Sequence, residues 1–178
     1  YARENKIPFL GICFGMQMAT IEFARNKLKI KKAGSSELDK NCFPVIGLID
    51  EWNKDGKIVK GTDKKLGGTM RLGLYEAKLR NNSAIKKIYN SNSINERHRH
   101  RYEINNNLKD QFERKGLIFS GMSPDKSLPE IIELKDHPWY VASQFHPELK
   151  SRVRKAHPLF REFIKAAVNY ERKLSFDI

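Results

Sequence analysis

The chain has 178 residues, 39% of them apolar, and a net charge of +13; this is the length of one domain with room for a sizeable core. No stretch approaches the ~18 consecutive apolar residues of a membrane-spanning helix, which excludes one. Two cysteines, Cys13 and Cys42, are too few for a disulfide scaffold and point to a reducing, cytoplasmic setting.

The start, Tyr1-Ala-Arg-Glu-Asn-Lys6, has neither a secretory pattern nor a Met, so the sequence reads as a piece of something longer. Ile7 to Ile12 predicts a short buried strand, and Met16 to Arg25 a helix apolar on most faces. Residues 26–41 are Lys-rich and predict a loop; Cys42 to Ile49 predicts a strand. Residues 53–68 carry glycines at 56, 61, 67 and 68 and predict a mobile surface loop. Arg71 to Leu79 alternates as a half-buried strand does, and Ser83 is placed to cap a short helix through Tyr89. A strand is expected at Arg101 to Ile104, then a helix from Leu108 to Lys115 stopped by Gly116. Strands follow at Leu117–Ser120, Glu130–Leu134 and Trp139–Phe145, and an amphipathic helix from Pro158 to Lys173 closes the chain. The alternation fits an α/β sheet covered by helices.

The charge points less to nucleic acid than its size implies. Lysines outnumber arginines 22 to 12 and lie scattered among asparagines, whereas an RNA-binding face favours clustered Arg with interleaved aromatics. The one dense cluster is Glu96-Arg-His-Arg-His-Arg-Tyr102.

Gly11-x-Cys13-x-Gly15 sits between a strand and a helix, the cysteine version of a nucleophile elbow. A sharp turn there exposes the nucleophile above the sheet, and the flanking glycines let neighbouring backbone pass closely. The helix N-terminus at Phe14 is expected to favour the thiolate, the reactive form, and to offer a backbone N–H to an oxyanion. An ordinary Gly-containing turn with a buried Cys explains this pattern alone about equally well. The second signal is Gln144-Phe-His146-Pro-Glu148 after an apolar strand. His146 there serves as general base and acid, with Glu148 to orient it. His137-Pro138 and His157-Pro158 read as surface turns. The Cys-to-His separation is papain-like, but the local papain signature around the Cys is absent.

Pro8-Phe-Leu-Gly-Ile-Cys13-Phe-Gly-Met-Gln17 with Phe145-His146-Pro-Glu148 resembles the class I (triad) glutamine amidotransferases. Gly67-Gly-Thr-Met-Arg-Leu-Gly73, Glu96 to Glu103 and Ser35-Ser-Glu37 narrow the resemblance to the glutaminase domain of the CTP synthase family. It implies an α/β, flavodoxin-like fold: an open, twisted, mostly parallel sheet flanked by helices. It also implies that residues 1–178 are a glutaminase domain incomplete at its N-terminus, without its first strands. Cys13 then resembles the nucleophile, His146 the base and Glu148 the third member of the triad. Phe14, Gly15, Gln17 and Tyr102 resemble parts of the glutamine pocket. Glu37 resembles the partner of the substrate α-amino group, and Arg101 that of its α-carboxylate; read without the resemblance, both are solvated surface charges. Position 14 is usually Leu in the family and is Phe here.

The resemblance further implies a Gly-rich oxyanion segment upstream of Tyr1 and a synthase domain outside this chain. That domain uses ATP and Mg²⁺ to aminate UTP to CTP with the released ammonia. GTP is the expected activator, residues 54–73 the responding lid, and a homotetramer the expected assembly. No metal or cofactor is implied in this domain, and neither nucleic acid nor membrane as a partner. Two other readings stand beside it: a GMP synthetase-type glutaminase, and a catalytically silent amidotransferase-like module that binds nucleic acid.

Overall fold

The computed structural model describes residues 1–48 and 70–176. In chain order these form β1 (Phe9–Ile12), α1 (Phe14–Asn26), β2 (Ala33–Ser35), β3 (Phe43–Leu48), β4 (Arg71–Leu79), α2 (Ala84–Tyr89) and β5 (Ser93–His100). There follow β6 (Tyr102–Ile104), α3 (Lys109–Arg114), β7 (Leu117–Met122), β8 (Pro129–Leu134), β9 (Tyr140–Ser143) and α4 (Pro158–Phe176).

Six strands form one sheet in the order β1-β9-β8-β7-β4-β5, and three form a second, β2-β3-β6. The α/β class is as expected, but the sheet is mixed rather than mostly parallel. Among the described pairs, only β1 with β9 and β2 with β3 run parallel. The other pairs are antiparallel. The cause lies in the connections. β7, β8 and β9 follow one another through short turns, which can only reverse a strand, whereas a parallel pair needs a long crossover.

The large sheet buries both faces. Ile132 and Ala142 belong to one apolar cluster, with Met16, Phe23, Ile46, Phe112 and Phe119. Their chain neighbours Ile131 and Val141 belong to another, with Ala77, Ile85, Phe145 and Leu159. Adjacent strand residues point to opposite faces, so α1 and α3 cover one side of the sheet and α2 and α4 the other. α1 is buried almost all round, as its composition requires. Ser83 caps α2 by accepting the Lys86 N–H at 3.0 Å. Gly116, at φ +97°, ends the turn after α3 in a conformation other residues resist.

Two strands depart from the expected pattern. β2 interrupts the Lys-rich stretch with three buried residues, Ala33, Gly34 and Ser35. β5 takes in most of the Arg-His cluster: Ile94, Glu96, His98 and His100 are buried, while Asn95, Arg97 and Arg99 face out. Its period of two is complete, but polar side chains occupy the inner positions, so hydrophobicity does not reveal it. The predicted loop at 53–68 lies outside the described residues. No helix among the described residues is long and apolar enough to cross a membrane.

Candidate active site

β1 and β9 lie side by side and parallel, with Ile12 paired to Ser143. Their carboxyl ends therefore deliver Cys13 and the segment around His146 to one end of the sheet, where ligands bind in open α/β folds. Cys13 occupies φ 50°, ψ −102°, a strained conformation for a residue with a Cβ, and α1 begins at the next residue. The turn is anchored by the Cys13 N–H, which donates to the Ser143 carbonyl at 2.7 Å, and by the Cys13 carbonyl, which receives the first helical bond from Gln17. Gly11 permits the approach of β1 to β9. Gly15 faces open space on the other side of the turn.

The Cys13 thiol is not tuned as the helix N-terminus alone predicts. Burial pushes its pKa up, and the Phe14 backbone N–H and the Gln144 amide pull it down, while the charges of Glu103 and Glu148 add to the rise. The net direction is upward, so desolvation outweighs the helix end. Gln144 Nε2 stands 3.6 Å from Sγ.

His146 follows β9, its backbone N–H donating to the Arg97 carbonyl of β5 at 2.8 Å. A 3-10 turn, Pro147–Leu149, brings Glu148 back over the ring. His146 Nδ1 and Glu148 Oε1 are 2.6 Å apart. The carboxylate accepts from Nδ1–H, which assigns the lone pair to Nε2. That Nε2 is buried and has no hydrogen-bond partner among the described residues. This is the arrangement a general base needs.

A pocket of about 270 Å³ opens beside the sulfur, lined by Cys13, Phe14, Gln17, Glu37, Arg99, His100, Arg101 and Tyr102. The structure thus gathers six of the nine predicted site residues around one cavity. Gly15, His146 and Glu148 are not among its lining. Glu37 gives the cavity one anionic group, and Arg99 and Arg101 give it two cationic ones. Phe14 is half exposed at the rim. The Gln17 amide is held by the protein, Nε2 donating to the Tyr102 carbonyl at 2.9 Å and facing Gln144 Oε1 at 3.5 Å. Cys42 is also a free cysteine but lines a different pocket, with Met18 and Ile21.

Sequence reasoning assigned no part to Gln144, Arg99, His100 or Glu103. Gln144 carries no pattern of its own. The signal for Arg99 and His100 lay in the polar alternation of β5, which turns Arg97 and Arg99 outward and His98 and His100 inward, a pattern without the apolar inner face that marks a strand. His157 is a correction. It is buried, 3.1 Å from Glu96 and 3.3 Å from the Tyr89 hydroxyl, not a surface turn, because α4 starts there and closes the second core.

A nucleophile elbow, a His–carboxylate pair and a pocket with anchors of both charges define a class. The family model for class I glutamine amidotransferases matches residues 1–166, and the chain belongs to that family. Within it, the chain is similar to the CTP synthases. It is 68% identical over 171 residues to the CTP synthase of Pelagibacter ubique, covering 96% of this chain and 32% of that protein. It is 57% identical over 173 residues to that of Zymomonas mobilis, covering 97% and 32%. The solved glutaminase domain of a Trypanosoma brucei CTPS with bound acivicin superposes with a TM-score of 0.81 at 31% identity, over 94% of this chain and 62% of that one. A GMP synthase protein from Thermoplasma acidophilum, at 20% identity and a TM-score of 0.56 over 98% of this chain and 64% of that one, shares the fold alone. The chain thus spans about a third of the length of its curated relatives and corresponds to their amidotransferase portion.

Proposed function

We propose that this chain is the glutaminase unit of a CTP synthase, hydrolysing L-glutamine to glutamate and ammonia. The observation that carries this reading is the pocket beside Cys13, where Glu37 and Arg101 stand as opposite charges. A free amino acid needs both an anionic and a cationic anchor. Relatives at 68% and 57% identity, both CTP synthases, support this reading over a GMP synthetase-type glutaminase. The scattered lysines give little support to a nucleic-acid module.

His146 Nε2 takes the Cys13 thiol proton. The thiolate attacks the side-chain amide carbon, and the Phe14 backbone N–H supports the oxyanion. The imidazolium, steadied by Glu148, protonates the leaving nitrogen, so ammonia departs and a glutamyl thioester remains. Water then loses a proton to His146 and attacks the thioester. Glutamate leaves, and the proton returns to the sulfur. No cofactor enters this cycle.

The ammonia passes to a synthase domain outside this chain, where ATP and Mg²⁺ activate UTP for amination to CTP. GTP activates, and the assembly is a cytoplasmic homotetramer. The lid assigned to residues 54–73 lies mostly outside the described residues.

The test is a glutamine-like chloroketone followed by mass mapping. One adduct on Cys13 and none on Cys42, with glutamine protecting, is the expected result. An adduct on Cys42, or on neither, overturns the assignment.

A further inference from the structure

The corner between β5 and β6 sets the geometry of the pocket. His100 ends β5 and Glu103 is the middle residue of β6. The two residues between them, Arg101 and Tyr102, both line the cavity. The ladder of β5 with β4 ends at His100, and that of β6 with β3 begins at Tyr102. Arg101 is the one residue between the two ladders at this corner, and neither register includes it.

Side chains close this corner. Glu103 is fully buried, and its Oε1 lies 2.6 Å from His100 Nε2 and 3.1 Å from an Arg71 guanidinium nitrogen. The other arm of Arg71 holds Glu130 at 2.7 Å. We propose that Glu103 is a positioning residue for glutamine hydrolysis, stapling His100 across the corner and so fixing Arg101 and Tyr102 against the substrate. This rests on the reading of the pocket as a glutamine site.

The influence of the staple extends to the sulfur. The Tyr102 carbonyl orients the Gln17 amide at 2.9 Å, Gln17 faces Gln144 at 3.5 Å, and Gln144 faces Cys13 Sγ at 3.6 Å. A displaced corner therefore displaces the amide beside the nucleophile. Stability alone does not explain a carboxylate here. Burying one is costly, and apolar packing commonly serves a core as well or better. Moreover, Glu103 Oε2 has no hydrogen-bond partner among the described residues. The charge also reaches Cys13, where it ranks behind burial among the influences that raise the thiol.

The test uses Glu103→Gln, His100→Asn and the double variant, made in the full natural polypeptide. Glu103→Gln keeps the shape and removes the charge. It raises the KM for glutamine about 10-fold, the cost of one mismatched buried bond to a charged group, with kcat held within about threefold. Its Cys13 alkylation by iodoacetamide shifts to lower pH, because a negative charge near the thiolate is gone. His100→Asn breaks the same staple from the other side and raises KM without that pH shift, and it stands alone if Glu103→Gln does not fold. The double variant raises KM no further than the worse single one, since the two act as a unit. A wild-type KM in either folded single variant, or fully multiplicative effects, overturns the proposal. A wild-type protein that hydrolyses no glutamine overturns the pocket reading instead; an alkylation profile unmoved in Glu103→Gln then overturns the link from Glu103 to the sulfur.

Discussion

Gly11 on β1 lies directly opposite Ala142 on β9, so close that a Cβ on Gly11 would sit 2.8 Å from the Ala142 Cβ and 3.0 Å from the Gly15 backbone. Two of the three contacts are backbone, which cannot swing aside. This pair sets how near the Cys13 turn comes to the strand leading to His146. Gly11→Ala is expected to destabilise the protein by about 1–3 kcal/mol, the usual cost of overpacking. It should also lower glutaminase activity more than that loss of folded protein explains. Urea unfolding beside kcat/KM separates the two effects. A variant with unchanged midpoint and unchanged activity contradicts the close approach.

The backbone of Cys13 carries strain that its function requires. At φ 50°, ψ −102° a Cβ is disfavoured, and only glycine relaxes there. Cys13→Ala abolishes hydrolysis and keeps the strain. Cys13→Gly abolishes hydrolysis and relieves it, and is expected to be more stable than Cys13→Ala by about 1 kcal/mol, despite the entropy glycine loses on folding. Thermal unfolding of the two dead variants decides the point, and an alanine variant of equal or greater stability argues against strain at the nucleophile.

Much of the site was legible in the sequence because its chemistry is local. Gly11, Cys13 and Gly15 fall within one turn, and His146 and Glu148 are two residues apart. Glu37 and Arg101 gave no such signal; only resemblance pointed to them, and the fold brings them to one cavity from β5–β6 and the loop after β2. The sheet was legible in its elements but not in its directions, because a strand's polarity depends on the length of its connections and on its neighbours. β5 escaped because a strand is recognised by apolar residues on its inner face, and this one buries Glu96, His98 and His100. Glu96 meets Tyr89 of α2 and His157 before α4, and His98 faces Glu130 of β8; only His100, bonded to Glu103, finds its partner close by in sequence, so no local pattern showed these polar residues to be interior.

Two buried groups pull the stability in opposite directions with pH. Burial lifts the Glu130 carboxyl to about 7 against the pull of Arg71. Burial, with Arg71 and His100 adding, lowers His98 to about 2. Between the ordinary carboxyl pKa and about 7, the folded chain holds a proton on Glu130 that the unfolded chain lacks. Glu130 therefore favours folding at lower pH, and this contribution is lost as pH rises through 7. Below about 6.5, the unfolded chain binds a proton on His98 that the folded chain refuses, so that contribution falls with acid. The two slopes oppose each other between pH 6 and 5. Glu130→Gln removes one of them, and as pH is lowered its stability relative to wild type is expected to fall by about 1.4 kcal/mol per pH unit across that range. Urea midpoints at pH 7.5, 6 and 5 measure it; parallel curves for the two proteins would rule out the opposing pair.

The 2.6 Å contact between His146 Nδ1 and Glu148 fixes the tautomer that leaves Nε2 free to accept a proton. Glu148→Gln keeps the bulk but offers an amide that can present the wrong group to the ring. It is expected to lower kcat roughly 10²-fold, the lower end of general acid–base contributions. The KM for glutamine stays near wild type, because neither His146 nor Glu148 lines the pocket. Steady-state kinetics give the split directly. A variant with normal kcat and raised KM would move Glu148 from the chemistry to substrate binding.

Glu37 and Arg101 make claims that substrates can test as sharply as mutations. If Glu37 receives the α-ammonium group, Glu37→Gln weakens glutamine because a charge-assisted contact is lost, with KM expected to rise about 10-fold. Glutaramic acid, which is glutamine without its amino group, never makes that contact. Wild type should already handle it poorly, and Glu37→Gln should handle it no worse. Arg101→Gln behaves the opposite way. It should weaken glutamine and glutaramic acid alike, since both carry the carboxylate, and leave 4-aminobutyramide, which lacks one, unaffected. The crossed design matters because Arg99 also lines the pocket and could hold the carboxylate instead. In that case Arg99→Gln shows the carboxylate-dependent loss and Arg101→Gln does not, and Arg101 serves the corner rather than the substrate.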